Sequence, residues 1–306
     1  MRPLGLFGNY ENAGVGINPH APKKKPFFRF WELLWRNLGK ILFLNIIFVG
    51  FQIPIMLSLV FYVETNNNLT KPMCIFLLIL QALLEGPVLA GCTRVLRLIV
   101  LDKAFFLWEE FKKGFSGNFW MSELIFAIDL VISASLACGW VLYPQLAESM
   151  GSNLIYVPFV ISMAVAVVIL FMNFFMLPMM VATSLKPMNV IKNAFMLACL
   201  SPKTCVLTFL CIAATLALCV LLMMASSVCM FLFSVFPVSF LGYLILFINY
   251  PVVQRYVINP YYEESGEENP EAEPETPEEE RIFTDRGGSE TPIKKEKKVR
   301  RGKTIR

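Results

Sequence analysis

Two carboxylic acids lie deep inside apolar runs of this sequence. They are Glu85, in LLEGPVLAGCTRVLRLIV (83–100), and Asp129, in MSELIFAIDLVISASL (121–136). If the runs are helices starting at Met73 and Phe119, a rise of about 1.5 Å per residue puts Glu85 about 18 Å and Asp129 about 15 Å along. Both depths are near the middle of a hydrocarbon layer about 30 Å thick. An acidic side chain there costs about 2.5–3.5 kcal/mol on insertion scales and usually faces the interior of a helix bundle. Facing each other, the two acids could form a proton-linked or polar-ligand site. The favoured alternative is structural: each is neutral or hydrogen-bonded to neighbours such as Asn45, Gln52, Ser133 or Asn173, because burial disfavours a charged carboxylate.

Two further polar residues share this register. Gln52 follows Trp31 at the spacing with which Asp129 follows Trp108, and Asn249 precedes Pro251 as Glu85 precedes Pro87. Glu85, Asp129, Gln52 and Asn249 would then form one buried polar layer, serving as a pore, a binding pocket or packing. A carboxylate pair can also serve as an aspartyl-protease dyad, but neither acid sits in an intramembrane-protease motif. The only histidine is His20, and the eight cysteines contain no Cys-x-x-Cys pair. No metal site, cofactor or catalytic residue is expected from them.

The elements that must position these residues are membrane spans. Of the 306 residues, 56% are hydrophobic and 16% charged, with mean hydropathy +0.60; a soluble domain carries about a quarter charged residues. The pattern predicts an all-α polytopic membrane protein with six spans near 39–63, 73–98, 119–143, 155–182, 204–232 and 237–257, the last break being set at Pro237. No cleavable signal peptide is expected. With six spans, Lys71 alone of the 27 basic residues falls on one side, so the positive-inside rule puts both termini in the cytoplasm. Arg94 and Arg97 then mark the cytoplasmic boundary of the second span, their side chains reaching for headgroups. Asn68-Leu69-Thr70 forms a weak glycosylation sequon.

The sequence also repeats. WELLWRNLGKILFLNIIFVGFQIPI from Trp31 lies without gaps on WEEFKKGFSGNFWMSELIFAIDLVI from Trp108, and a weaker copy starts near Met188. The partner runs share a proline, at Pro87, Pro178 and Pro251. Three parallel units are predicted, each an interfacial helix followed by a helical hairpin. Parallel units give no sign of the inverted repeats used by many secondary transporters. Ala82, Gly86 and Ala90 place small residues on one face for close helix packing, and Gly86-Pro87 should bend the second span. Thr204, Thr208, Cys211 and Thr215 form a stripe whose hydroxyls can bond back to helix carbonyls. Segments 27–36 and 105–115 mix Phe and Trp with Arg and Lys, as a helix at the headgroup level does. Three regions result: a cytoplasmic N-terminal segment with its interfacial helix (1–37), a six-helix membrane domain (38–262) and a disordered tail (263–306), acidic and then basic. The basic end could touch anionic lipid; no specific nucleic-acid binding is expected.

GLFGNYENAGVGINPHAPKKKPFFRFWELLWRNLGKILFLNIIF (5–48), Pro54, GPVLAGCTRVLR (86–97), FFLWEEFKKGF (105–115) and YPVVQRYVINPYY (250–262) together resemble the YesL-like family of bacterial integral membrane proteins. That resemblance spans about 5–262 and implies a bacterial plasma membrane and an association with carbohydrate uptake. The family has no established activity, so no catalytic residue carries over. The expectation is a non-enzymatic membrane protein, an accessory or scaffold for a carbohydrate transporter complex, with the lipid bilayer as its first partner. The alternative is a small transporter or channel built on the Glu85 and Asp129 layer.

Overall fold

A computed structural model describes residues 25–64, 70–225 and 237–266, with Asn269 and Glu271. Among them every regular element is helical. Among the described residues five helices are long and apolar enough to cross a membrane, or six if one strongly bent pair counts as a single span. The chain is built as a multi-pass, all-helical membrane protein.

The bent pair opens the described chain: α1 (Pro26–Arg36) and α2 (Leu38–Phe51) meet at 68° about Asn37. The first apolar run, predicted as one span over 39–63, is broken again after α2, and α3 covers Ile53–Glu64. Pro54 accounts for this second break. It has no N–H to give to the preceding turn, and its ring crowds the carbonyl four residues back. Gln52, left between the helices, turns its own N–H onto Val49 O at 3.0 Å.

The long helices follow. They are α4 (Thr70–Val100), α6 (Phe119–Met150), α7 (Tyr156–Ala182), α9 (Pro202–Ala225) and α10 (Pro237–Val253). The third span therefore runs past its predicted end at 143, through Pro144, and stops where Gly151 adopts a left-handed φ of 60°. Two short helices sit between the long ones, α5 (Leu107–Gly117) and α8 (Pro187–Leu200). After α10 the chain makes a π-helical turn over Gln254–Ile258 and ends in α11 (Asn259–Ser265). The tail predicted to begin at 263 overlaps the end of α11. Helical order reaches Ser265, and Glu271 is seated in the protein. The N-terminal segment before Lys25, the sequon asparagine Asn68, and residues from 272 onward lie outside the described residues.

The centre is formed by α4, α7 and α10, which pack on one another in all three pairings. These helices carry Pro87, Pro178 and Pro251. Val88, Val95, Phe175, Met179, Tyr243 and Tyr250 are fully buried where they meet. Around them α3 lies on α4, α6 bridges α4 and α7, and α9 lies on α10. Each short amphipathic helix rests on a central one. α5 lies on α4 and α8 on α7, while α1 reaches α10 through Phe30, which packs on Tyr243 and Phe247. Tyr243 also donates its hydroxyl to Phe30 O at 2.9 Å. The first 15 or so residues of α7 instead present Val157, Val160, Ile161, Met163 and Val165 outward, a surface that suits hydrocarbon rather than water.

Glycines set the closest approaches. A Cβ on Gly86 would lie 2.7 Å from Ser122 O and 2.8 Å from Glu123 Cα, so α4 and α6 touch backbone to backbone there. Gly114 of α5 stands against Gly91 Cα and Ala90 O of α4 in the same way. Gly86 and Ala90 are buried and Ala82 half-buried.

Candidate functional site

The predicted polar layer resolves into three separate groups, each joining the two spans of one hairpin. In the first, Glu85 and Gln81 lie one turn apart on α4 and meet Gln52 at the break between α2 and α3. Gln52 Nε2 donates to both carboxylate oxygens of Glu85, at 3.0 and 2.8 Å. Gln81 Nε2 donates to Glu85 Oε2 at 2.6 Å and to Gln52 Oε1 at 2.8 Å. The break after Phe51 is what frees Gln52 to point at α4. Gln81 Oε1 is buried and has no hydrogen-bond partner among the described residues.

In the second group Asn173 of α7 donates to Asp129 Oδ1 of α6 at 2.6 Å, and Asn173 Oδ1 is buried without a partner among the described residues. In the third, Asn249 of α10 donates to Thr208 Oγ1 of α9 and to Ile245 O, both at 2.9 Å. Thr208 donates its own hydroxyl to Thr204 O, and Thr215 donates back to Cys211 O. Glu85 and Asp129 therefore do not face each other: Glu85 pairs with glutamines of the first hairpin and Asp129 with an asparagine of the second. A single layer of Glu85, Asp129, Gln52 and Asn249 is not formed by hydrogen bonding. The amide partners of the acids are those a neutral or hydrogen-bonded carboxyl group needs in a dry interior. A groove of about 260 Å³ lined by Val131, Ile132, Ser135, Leu136, Ser162 and Val165 lies between α6 and α7 and holds none of the four.

The chain matches no protein-family model, no curated protein and no solved structure.

Sequence reasoning missed Gln81, although its place one turn before Glu85 was a readable signal, since residues four apart on a helix are neighbours. It also missed Thr208 as an interhelical partner. Thr208 follows Asn193 by the interval that separates Gln52 from Asn37.

The arginines predicted to reach outward turn into the protein. Arg94 Nε donates to Glu110 Oε2 of α5 at 2.8 Å, and Lys113 reaches Glu110 Oε1 at 2.8 Å. Burial raises the Glu110 pKa, but hydrogen bonds from Lys113 and Arg94 and their positive charge outweigh it and leave the carboxyl below its ordinary value. Arg97 Nε donates to Tyr250 Oη at 2.7 Å, and Arg97 forms an ion pair with Glu271. The side chain of Arg97 is only 13% exposed, so protein rather than headgroup surrounds it. Among the described residues no group of histidines, cysteines or acids could hold a metal ion.

Proposed function

We propose that the protein is a non-enzymatic, multi-pass membrane scaffold whose interior polar residues hold its hairpins together, and which works through its surfaces as an accessory to a carbohydrate uptake system. The carrying observation is the pairing just described. Glu85 and Asp129 are each engaged by amide side chains of their own hairpin, an arrangement that suits packing better than a continuous path for a solute. The uptake context and the bacterial plasma membrane rest on the YesL-like resemblance, and the non-enzymatic assignment rests on the lack of a catalytic constellation in the sequence.

Three parallel units form part of this reading. They are α1 with α2, α3 and α4; α5 with α6 and α7; and α8 with α9 and α10. Two features support them. The proline-bearing helix of each unit is central, and each unit has one polar link between its two spans at an equivalent register. The amphipathic helix of each unit also rests on the central helix of the unit before it, with α1 on α10 closing the ring. Both termini are assigned to the cytoplasm on the distribution of basic residues.

Mild solubilisation of native membranes followed by affinity recovery of the full chain tests the scaffold. Enrichment of transporter or regulator subunits is expected, and recovery of the chain alone would refute it. A second reading, a proton-linked transporter using Glu85, is favoured by one observation, the unpartnered Oε1 of Gln81 beside the carboxyl group. Proton and sugar flux in liposomes, compared between wild type and Glu85→Gln, tests that reading. A wild-type chain that moves nothing across a broad substrate set would end it.

A further inference from the structure

At the end of the bundle where α4 stops, donors from neighbouring helices converge on one carboxylate. Arg97 of α4 directs Nη2 to Glu271 Oε1, Tyr250 of α10 donates its hydroxyl to Glu271 Oε2 at 2.6 Å, and Gln254 Nε2 approaches the same oxygen at 3.3 Å. Arg97 Nη1 also donates to Val181 O of α7 at 3.3 Å, so all three central helices fix this guanidinium. The donors belong to the rigid bundle: Tyr250 is fully buried, and Nε of Arg97 is already committed to its hydroxyl oxygen. The acceptor does not. Glu271 comes from beyond the last helix, and among the described residues of its approach Asn269 accepts from Glu271 N at 2.9 Å and donates to Asn259 Oδ1 at 3.0 Å.

Charge-assisted bonds from a planar guanidinium, added to a phenol and an amide, are what recognition of a phosphate or carboxylate requires. Gln254 begins the π-helical turn that interrupts the end of α10. Such turns add a residue locally, often at functional sites, and this one brings Gln254 to the carboxylate alongside Tyr250.

We propose that Arg97, Tyr250 and Gln254 form a binding site for a single phosphate or carboxylate group, and that Glu271 occupies it as a tethered competitor. The buried guanidinium needs an anion in either state, so release of Glu271 is coupled to arrival of another anion. The external group is a soluble phosphate or the phosphate of an anionic lipid headgroup. This inference does not depend on the scaffold reading.

The full chain in neutral detergent tests it, with inorganic phosphate titrated at constant ionic strength and thermal unfolding as the readout. Glu271→Ala should be stabilised by phosphate at concentrations about tenfold or more below those needed by wild type, because a short tether presents its group at an effective concentration on the order of millimolar. Adding Arg97→Gln or Tyr250→Phe to Glu271→Ala should abolish the response. The tyrosine variant keeps its ring and serves if loss of the arginine prevents folding, and Glu271→Gln substitutes should the alanine variant not fold. A parallel comparison in nanodiscs of phosphatidylglycerol and phosphatidylcholine separates the sources. Stabilisation by phosphatidylglycerol without a response to inorganic phosphate assigns the headgroup, and the reverse assigns the soluble anion. If Glu271→Ala responds no more than wild type to either, or responds equally without Arg97 and Tyr250, the contact is a static ion pair and the proposal is overturned.

Discussion

Gly86→Ala, set against Gly39→Ala, isolates the cost of crowding one helix crossing. Both glycines are helical, Gly39 in the first turn of α2 and Gly86 in the middle of α4, and each substitution gains at most about 1 kcal/mol of helix propensity. Their surroundings differ. A Cβ on Gly39 meets nothing within 4 Å, whereas on Gly86 it lies 2.7 Å from Ser122 O and 2.8 Å from the N and Cα of Glu123. These are backbone atoms of α6 and cannot rotate away. Ordinary contact begins at 3.4 Å, so α4 and α6 must part by about 0.7 Å. A gap of that size forfeits roughly a quarter to a half of the dispersion energy of each atom pair it opens, and close packing is the main force between helices in lipid. The expected penalty is about 1–3 kcal/mol relative to Gly39→Ala, as for other overpacked sites, or roughly a 5- to 150-fold shift in the folding equilibrium. Unfolding in mixed micelles of increasing dodecyl sulfate, followed by tryptophan fluorescence, measures it. Equal stability of the two variants would show that α4 and α6 do not meet at Gly86.

Three further outcomes are expected in the same system. Glu85→Gln should cost less than about 1 kcal/mol because an amide can replace the carboxyl group among Gln52 and Gln81, whereas Glu85→Leu should cost about 1–3 kcal/mol for each amide left unpaired; equal unfolding of the two variants refutes the triad. Asn173→Leu should destabilise the α6–α7 hairpin by a similar amount, while Ser133→Ala should stay within about 0.5 kcal/mol, read from the same unfolding curves. Glu110 titrates below its unfolded value, so its stabilisation of α5 on α4 is complete above pH about 4.3 and is lost as pH falls through the folded value. Amide exchange in α5 should accelerate over that acid range in wild type, and Glu110→Gln should flatten the profile.

Much of the frame was legible because its signals are local. Pro87, Pro178 and Pro251 single out the helices that become the centre, and Gly86 with Ala90 marks a face that only another helix can cover. The run over 39–63 read as one span because it is apolar throughout, and the effect of Pro54 on the preceding turn leaves no trace in hydropathy. The partners of Glu85 and Asp129 were only partly legible. Gln52 and Asn173 could be named as candidates, but hydropathy places a residue by depth and not by azimuth, so two acids at one depth suggested a pair where the fold keeps them in different hairpins. Arg97 was read outward because cations at a span end usually are. Its partner is 174 positions away, in an acidic stretch whose composition resembles solvated chain.

The contact between Tyr243 and Phe30 also sets an order of assembly. Phe30 lies in the first helix and its carbonyl accepts from the last long one, 213 residues later. During synthesis from the N-terminus, the aromatic face of α1 has no partner until α10 has been made and inserted. The contact joining the first helix to the last long one therefore forms only after α10 has been made. A chain stopped before Pro237 would leave Phe30 uncovered, marking an incomplete product for the quality-control machinery of the membrane.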